Sequence, residues 1–250
     1  MSQTLLSIIA ANFLISCISL IGLSILSVKV FSSKKLSTFF VSFAAGVLLA
    51  TSILNILPES LEHLPTQTAL SWFMYGIIAA FLLERSLLWY HHHHEDTHDI
   101  NPTSLLVLVG DAIHNLIDGL SIAAAFIVSP ALGIATTIAI AAHEIPQEIA
   151  DYSILRHCGM DNRKAIMWNF ISALTAVAGG IIGFYIFRES FELLHYALAI
   201  TAGIFLYVSA ADLIPELHHS HTSHNWLPQT VLFLAGVVLI VLLAGQGPAH

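Results

Sequence analysis

Apolar residues fill this chain in eight long blocks, and the polar residues inside two of those blocks recur at helical spacing. A membrane-crossing helix needs roughly 20 mostly apolar residues. Eight runs meet that length: 4–28, 37–58, 69–90, 103–128, 132–156, 165–187, 194–215 and 226–245. Barrel strands would alternate over about 10 residues instead. The pattern predicts an all-α integral membrane protein of eight transmembrane helices, a single domain over 1–250. The first run has no basic segment before it and no small-residue cleavage site, so it reads as a retained span rather than a signal peptide.

Two runs carry polar stripes. The fourth contains GDAIHNLIDGLSIAAAF (110–126) and the fifth IAAHEIPQEIADYSIL (140–155). Residues three and four apart share a helix face, so Asp111, His114, Asn115 and Asp118 form one stripe. His143, Glu144, Gln147, Glu148 and Asp151 form another. His114 and His143 each lie eleven residues into their runs, roughly 16 Å deep at about 1.5 Å per residue. That is close to the centre of a hydrocarbon core about 30 Å thick. An Asp at that depth costs about 2.5–3.5 kcal/mol on insertion. Such residues face the bundle interior or a water-filled cavity and mark an ion or substrate path. The stripes match by position: His114 with His143, Asn115 with Glu144, Asp118 with Gln147. Facing each other, they offer two imidazoles, carboxylate and an amide oxygen at one depth, a donor set that suits transition metals such as zinc. Pro146 removes one backbone hydrogen bond from the fifth helix and frees a carbonyl.

A repeat lies outside the central pair. AGVLLATSILNILPE (45–59) aligns without a gap on AGIFLYVSAADLIPE (202–216), pairing Ser52 with Ser209 and Asn55 with Asp212. The copies fall in spans two and seven and so run in opposite directions. Inverted repeats of this kind mark transporters whose substrate site lies near the midplane. The expected architecture relates spans 1–3 to spans 6–8 around central spans 4 and 5.

Composition and charge narrow the reading further. The chain is 56% hydrophobic and 10% charged, against roughly 45–50% and 25% in soluble domains. A net charge of −8 gives no basic footprint for nucleic acid. Cys17 and Cys158 supply neither a disulfide framework nor a thiolate metal site. Lys and Arg favour cytoplasmic loops. Lys29, Lys34, Lys35, Arg85, Arg156, Arg163 and Lys164 flank odd-numbered loops, and Arg188 alone flanks an even one. Odd loops are therefore expected in the cytoplasm and both termini outside it, in a plasma or inner membrane.

These motifs resemble the ZIP family of divalent-metal transporters. Its fourth-span motif, His-Asn-x-x-Asp/Glu-Gly, is met by His114, Asn115, Asp118 and Gly119. Its fifth-span motif in one large subgroup, His-Glu-x-Pro-His-Glu, is met by His143, Glu144, Pro146 and Glu148, with Gln147 where that subgroup has His. The resemblance covers the whole chain. It implies zinc as the transported substrate, with iron, manganese and cadmium as further candidates, and no resident cofactor. It carries a transport site over to His114, Asp118, His143 and Gln147, and an adjacent second site to Asn115, Glu144 and Glu148. Relatives holding two metals also draw a carboxylate from span six, which has none here. The expected partners are the metal ions, the lipid bilayer and a second copy in a homodimer.

HHHHEDTHD (91–99), within a His-rich loop over 91–101, and His218, His219, His221 and His224 fall on the expected cytoplasmic side, where such tracts bind metal loosely. Glu59, Glu62 and His63 fall outside, where they would gather cations. Asp111 and Asp151 lie towards the cytoplasm from the ligands and form a candidate exit path. A competing reading, an intramembrane zinc metalloprotease, starts from His143-Glu144 as the opening of a His-Glu-x-x-His pattern. Gln147 stands in place of its second His, and the reading leaves the fourth-span stripe and the repeat unexplained. A receptor without transport has no extramembrane domain to support it.

Overall fold

The computed structural model describes residues 3–26, 34–91, 102–219 and 226–244, and these are helical almost throughout, without a strand. In chain order the helices are α1 (Gln3–Leu26), α2 (Lys34–Ala50), α3 (Leu57–His63), α4 (Thr66–His91), α5 (Pro102–Val128), α6 (Pro130–His157), α7 (Asn162–Ala173), α8 (Thr175–Phe187), α9 (Phe191–Tyr207), α10 (Ile214–His219) and α11 (Trp226–Ala244). The His-rich stretch at 92–101 and His221 and His224 lie outside the described residues.

Among the described residues, six segments are long and apolar enough to cross a membrane: Thr38–His63, Thr66–Arg85, Val107–Val128, Asn162–Phe187, Phe191–Leu217 and Trp226–Leu243. The other two predicted spans correspond to α1 and α6. Helix α6 has ample length at 28 residues. Its stripe of His, Glu and Asp lowers its mean hydropathy, and that stripe turns inward, with His143, Glu144 and Glu148 all buried. Helices α4 and α11 lie at the periphery: only 11% of each apolar window is buried. Leu70, Met74, Ile78, Val231, Leu234 and Val238 are exposed on them, as suits a lipid-facing surface.

The centre is the α5–α6 hairpin. Ser129 alone joins the two helices. Its backbone is extended, its side chain accepts a hydrogen bond from the Leu132 N–H at 3.2 Å, and Pro130 opens α6. This is a serine cap with proline at the first helical position. So short a joint forces the helices to lie antiparallel, side by side. His114 precedes Ser129 by 15 residues and His143 follows it by 14, which sets both at one depth. Against α5, α8 approaches so closely that a Cβ on Gly119 would fall 2.0 Å from the Ala176 carbonyl oxygen.

Two spans are broken in the same way. Spans two and seven each widen into one π-helical turn, Thr51–Ile56 and Val208–Leu213, one residue before a Leu-Pro or Ile-Pro step. Proline cannot donate to the carbonyl four residues back, and a π turn absorbs the displaced register. The two turns close on equivalent bonds, Leu57 N–H to Ser52 O and Ile214 N–H to Ser209 O. Ser52 Oγ donates to Ala202 O at 2.6 Å, and Ser209 Oγ donates to Ala45 O at 2.9 Å. A Cβ on Gly46 would meet Phe233 O at 2.0 Å, and one on Gly203 would meet Phe73 O at 2.1 Å. The main apolar core, with Leu48, Ile56, Ile140, Leu198 and Phe205 buried, fills the bundle between these spans and α6.

Candidate metal centre

Four side chains converge where α5 and α6 face each other at mid-length: His114, Asp118, His143 and Glu144. Residues 114 and 118 are one turn apart on α5, and 143 and 144 sit on the opposing face of α6. His114 Nε2 stands 3.2 Å from His143 Nε2, with the rings nearly perpendicular at 84°. Asp118 Oδ2 lies 3.3 Å from His143 Nε2 and 3.7 Å from His114 Nε2. Glu144 Oε1 lies 3.5 Å from His114 Nε2 and 3.7 Å from His143 Nε2. These separations are five of the six edges of a small tetrahedron, all of whose corners lie within 4.8 Å of one another. Ligand atoms about 2.0–2.1 Å from a tetrahedral zinc stand roughly 3.3–3.4 Å apart.

The hydrogen bonding supports the same conclusion. His143 Nδ1 is 3.1 Å from Ala139 O, so its proton sits on Nδ1 and its Nε2 lone pair faces His114. A backbone carbonyl that fixes the tautomer of a histidine is the usual companion of a metal-binding imidazole. Asp118 Oδ2 and both Glu144 oxygens are buried and accept no hydrogen bond. Buried carboxylate oxygens without donors are costly. A cation at the centre of the four relieves that cost and separates the two facing nitrogens.

The remaining predicted residues lie around this group. Asn115 donates from Nδ2 to Asp111 Oδ1 at 2.8 Å and to Asp111 O at 3.1 Å. Asp111, Glu144 and Glu148 form a second buried group whose oxygens lie within 4.8 Å of one another. Gln147 lines a cavity with His114, Asp118 and Asp111. Glu144 is thus brought nearer to the two histidines than pairing of the stripes by position implies.

Side chains that sequence reasoning passed over complete the surroundings. Asn169 of α7 donates to Glu148 Oε2, and Ser172 donates to Asp111 Oδ2. Span six therefore reaches the second group with an amide and a hydroxyl, although it brings no carboxylate. A cavity of about 510 Å³ runs from His114 and Asp118 past Asp151 to Glu84 and Asp212. Its wall is built from the last turns of α4 and α6, the start of α5 and the π turn of span seven. It therefore lies in the half of the bundle where α6 finishes. Tyr207 Oη donates to Glu84 Oε2 at 2.6 Å on that wall. Towards the opposite end, Ala139, Ile140, Leu198 and Ala202 pack fully buried, and Phe205 lies 6.2 Å from the His143 ring.

Comparison with known proteins gives a consistent result. The family described as ZIP Zinc transporter matches residues 3–102 and 90–244. Zinc transporter ZIP13 of Pongo abelii is 33% identical over 220 residues, covering 81% of this chain and 65% of that protein. Zinc transporter ZIP10 of Mus musculus is 37% identical over 148 residues, 56% of this chain and 18% of that protein. Zinc transporter ZIP4 of Homo sapiens is 37% identical over 142 residues, 56% of this chain and 22% of that protein. The match thus spans about a fifth of the length of ZIP10 and ZIP4.

Proposed function

Because the chain belongs to the ZIP zinc transporter family, we propose that it carries zinc across the membrane through the site between α5 and α6, towards the cytoplasm. The observation that carries this reading is the four-donor group at 3.2–3.7 Å spacing, with carboxylate oxygens unsatisfied, two of whose members, His114 and Asp118, line a cavity that also holds Asp111, Asp151, Asp212 and Glu84. His114, Asp118, His143 and Glu144 hold the ion. Gln147 and Asn115 adjust their shell, and Glu148 and Asp111 form the next station.

Direction follows from charge. The cavity lies in the half of the bundle that ends at Arg85, Arg156, Arg163 and Lys164, the cytoplasmic end by the Lys and Arg rule. An ion at the four-donor group meets Asp111, Asp151, Asp212 and Glu84 on its way along the wall. Those carboxylates replace lost ligands one after another, so no step strands a bare cation in apolar surroundings. The packed residues on the other side of the site close the path outward, and transport needs a second arrangement in which that packing opens and the cavity shuts. The equivalent π turns and reciprocal serine bonds of spans two and seven support an inverted-repeat architecture, which supplies two such arrangements.

Both termini then face away from the cytoplasm, in a plasma or inner membrane. Iron, manganese and cadmium are further substrates to test. A homodimer would pack on the apolar faces that otherwise meet lipid. The protease alternative has no support from the relatives. It also lacks its second histidine ligand, since Gln147 stands where that residue would be needed. Reconstituted vesicles enclosing a zinc-sensitive dye test the proposal. Zinc added outside should raise the signal well above that of protein-free vesicles, and equal signals would reject it.

A further inference from the structure

Glu59, His63 and His195 meet at the end of the bundle opposite the acidic cavity, and we propose that they form a second, separate site for a borderline divalent metal ion such as zinc. One donor atom from each lies within 4.8 Å of the others. Glu59 and His63 are one turn apart on α3, and His195 comes from the first turns of α9. His195 Nδ1 is 2.7 Å from Phe191 O, which places the proton there and leaves the Nε2 lone pair facing Glu59 Oε1 at 3.9 Å. His63 Nδ1 lies 3.0 Å from Glu59 O and 3.3 Å from Glu59 Oε1. His195 thus has a backbone carbonyl behind it, the arrangement that orients metal-binding histidines, while His63 presents Nδ1 to the carbonyl and the carboxylate of Glu59 alike.

The place is accessible and shaped. A cavity of about 330 Å³ lies beside the three residues, with Ile127, Val128 and Arg188 also in its wall. His63 sits at its mouth at 36% exposure, while His195 is at its floor at 1%. Packing alone accounts for part of this. The His63 and His195 rings stack at 4.4 Å, and Phe191 lies 4.2 Å from His195. Packing does not account for a carboxylate set between two imidazoles, 3.3 Å from His63 Nδ1 and 3.9 Å from the Nε2 of the buried His195.

Two nitrogens and one carboxylate oxygen make an open three-ligand site that water completes. Imidazole favours zinc, cobalt, nickel or copper over magnesium or calcium. A single carboxylate leaves net positive charge on the bound ion. The Arg188 guanidinium shares the cavity, although it pairs with Glu189 Oε1 at 2.8 Å and lies over the Tyr185 ring at 4.9 Å. Both features weaken retention, which suits a station that captures an ion and passes it on. That role rests on the proposed transport direction; the binding itself does not.

The test uses the full-length chain with Zn²⁺ alone as the probe, in a His114→Ala/His143→Ala background that disables the central site. Zinc bound per chain is measured by equilibrium dialysis, then measured again with His63→Ala or His195→Gln added. His195→Gln keeps bulk at a buried position, and His63→Ala alters an exposed one that folding tolerates. Each addition should remove one equivalent, while metal bound loosely to the His-rich loop is unchanged in the difference. Unchanged equivalents in folded, monodisperse His63→Ala protein overturn the proposal. Should the His114→Ala/His143→Ala background itself bind as much zinc as wild type, the central site fails instead, and the outer site is still judged by its own difference.

Discussion

Ser52 and Ser209, 157 residues apart, make reciprocal hydrogen bonds: Ser52 Oγ to Ala202 O at 2.6 Å and Ser209 Oγ to Ala45 O at 2.9 Å. Each serine reaches the Ala-Gly that opens the other's copy of the repeated segment. Both are fully buried. The two bonds should therefore be energetically alike. Ser52→Ala and Ser209→Ala should each lower stability by about 0.5–1.5 kcal/mol and agree within a few tenths. Equilibrium unfolding in mixed micelles reads both values. A large loss at one position and none at the other would remove the equivalence.

The glycines beside those alanines carry a harsher constraint. Gly46 lies under Phe233 O and Gly203 under Phe73 O, with room for no Cβ in either place. Gly46→Ala and Gly203→Ala must push α2 from α11 and α9 from α4. Overpacking of this kind costs about 1–3 kcal/mol, so each should exceed its serine neighbour in the same unfolding assay. Wild-type stability in either would mean that the helices are not held at this distance.

Much of this was legible in the sequence, for physical reasons that differ between residues. The helical spans show because bilayer thickness demands long apolar runs. The depth match of His114 and His143 shows because both sit on one hairpin at helical spacing. The π turns do not show, because a hydropathy run cannot register one extra residue in a turn. Glu144 reaches the histidines through the crossing of two helices, which no single-helix wheel displays. Asn169 and Ser172 were overlooked because an amide and a hydroxyl do not resemble ligands until their partners, Glu148 and Asp111, are in view. His195 gave no signal in its apolar run, since its partners lie more than 130 residues away on α3.

Gln147 is where this chain departs from the resembling subgroup. It lines the cavity beside His114 and Asp118, and its amide oxygen is a neutral, weak ligand. Gln147→His adds an imidazole, which prefers zinc to harder cations such as manganese. The variant should show a lower apparent KM for zinc, an unchanged or lower maximal rate, and a poorer ranking for manganese. Parallel zinc and manganese uptake decides this. KM values and ranking at wild-type levels would mean that residue 147 does not face the ion.

Asn169 offers a converse experiment. Its amide donates to Glu148, within reach of the Asp111–Glu144–Glu148 group. Asn169→Asp replaces the donor with a third-element carboxylate, and the crowded negative charge is best relieved by a bound cation. Zinc bound per chain, measured in the His63→Ala background so that the outer site does not contribute, should rise by one equivalent relative to that background alone. No rise in folded protein would show that span six does not govern a second ion.

The most direct measurement is zinc influx into vesicles containing His114→Ala or His143→Ala protein, at equal amounts of correctly folded chain. Each substitution removes one of two imidazoles whose Nε2 atoms stand 3.2 Å apart, and with it one expected metal–nitrogen bond. Influx should fall at least tenfold in both variants while insertion and monodispersity match wild type. Wild-type influx in either would contradict the assignment of the zinc path to the group between α5 and α6.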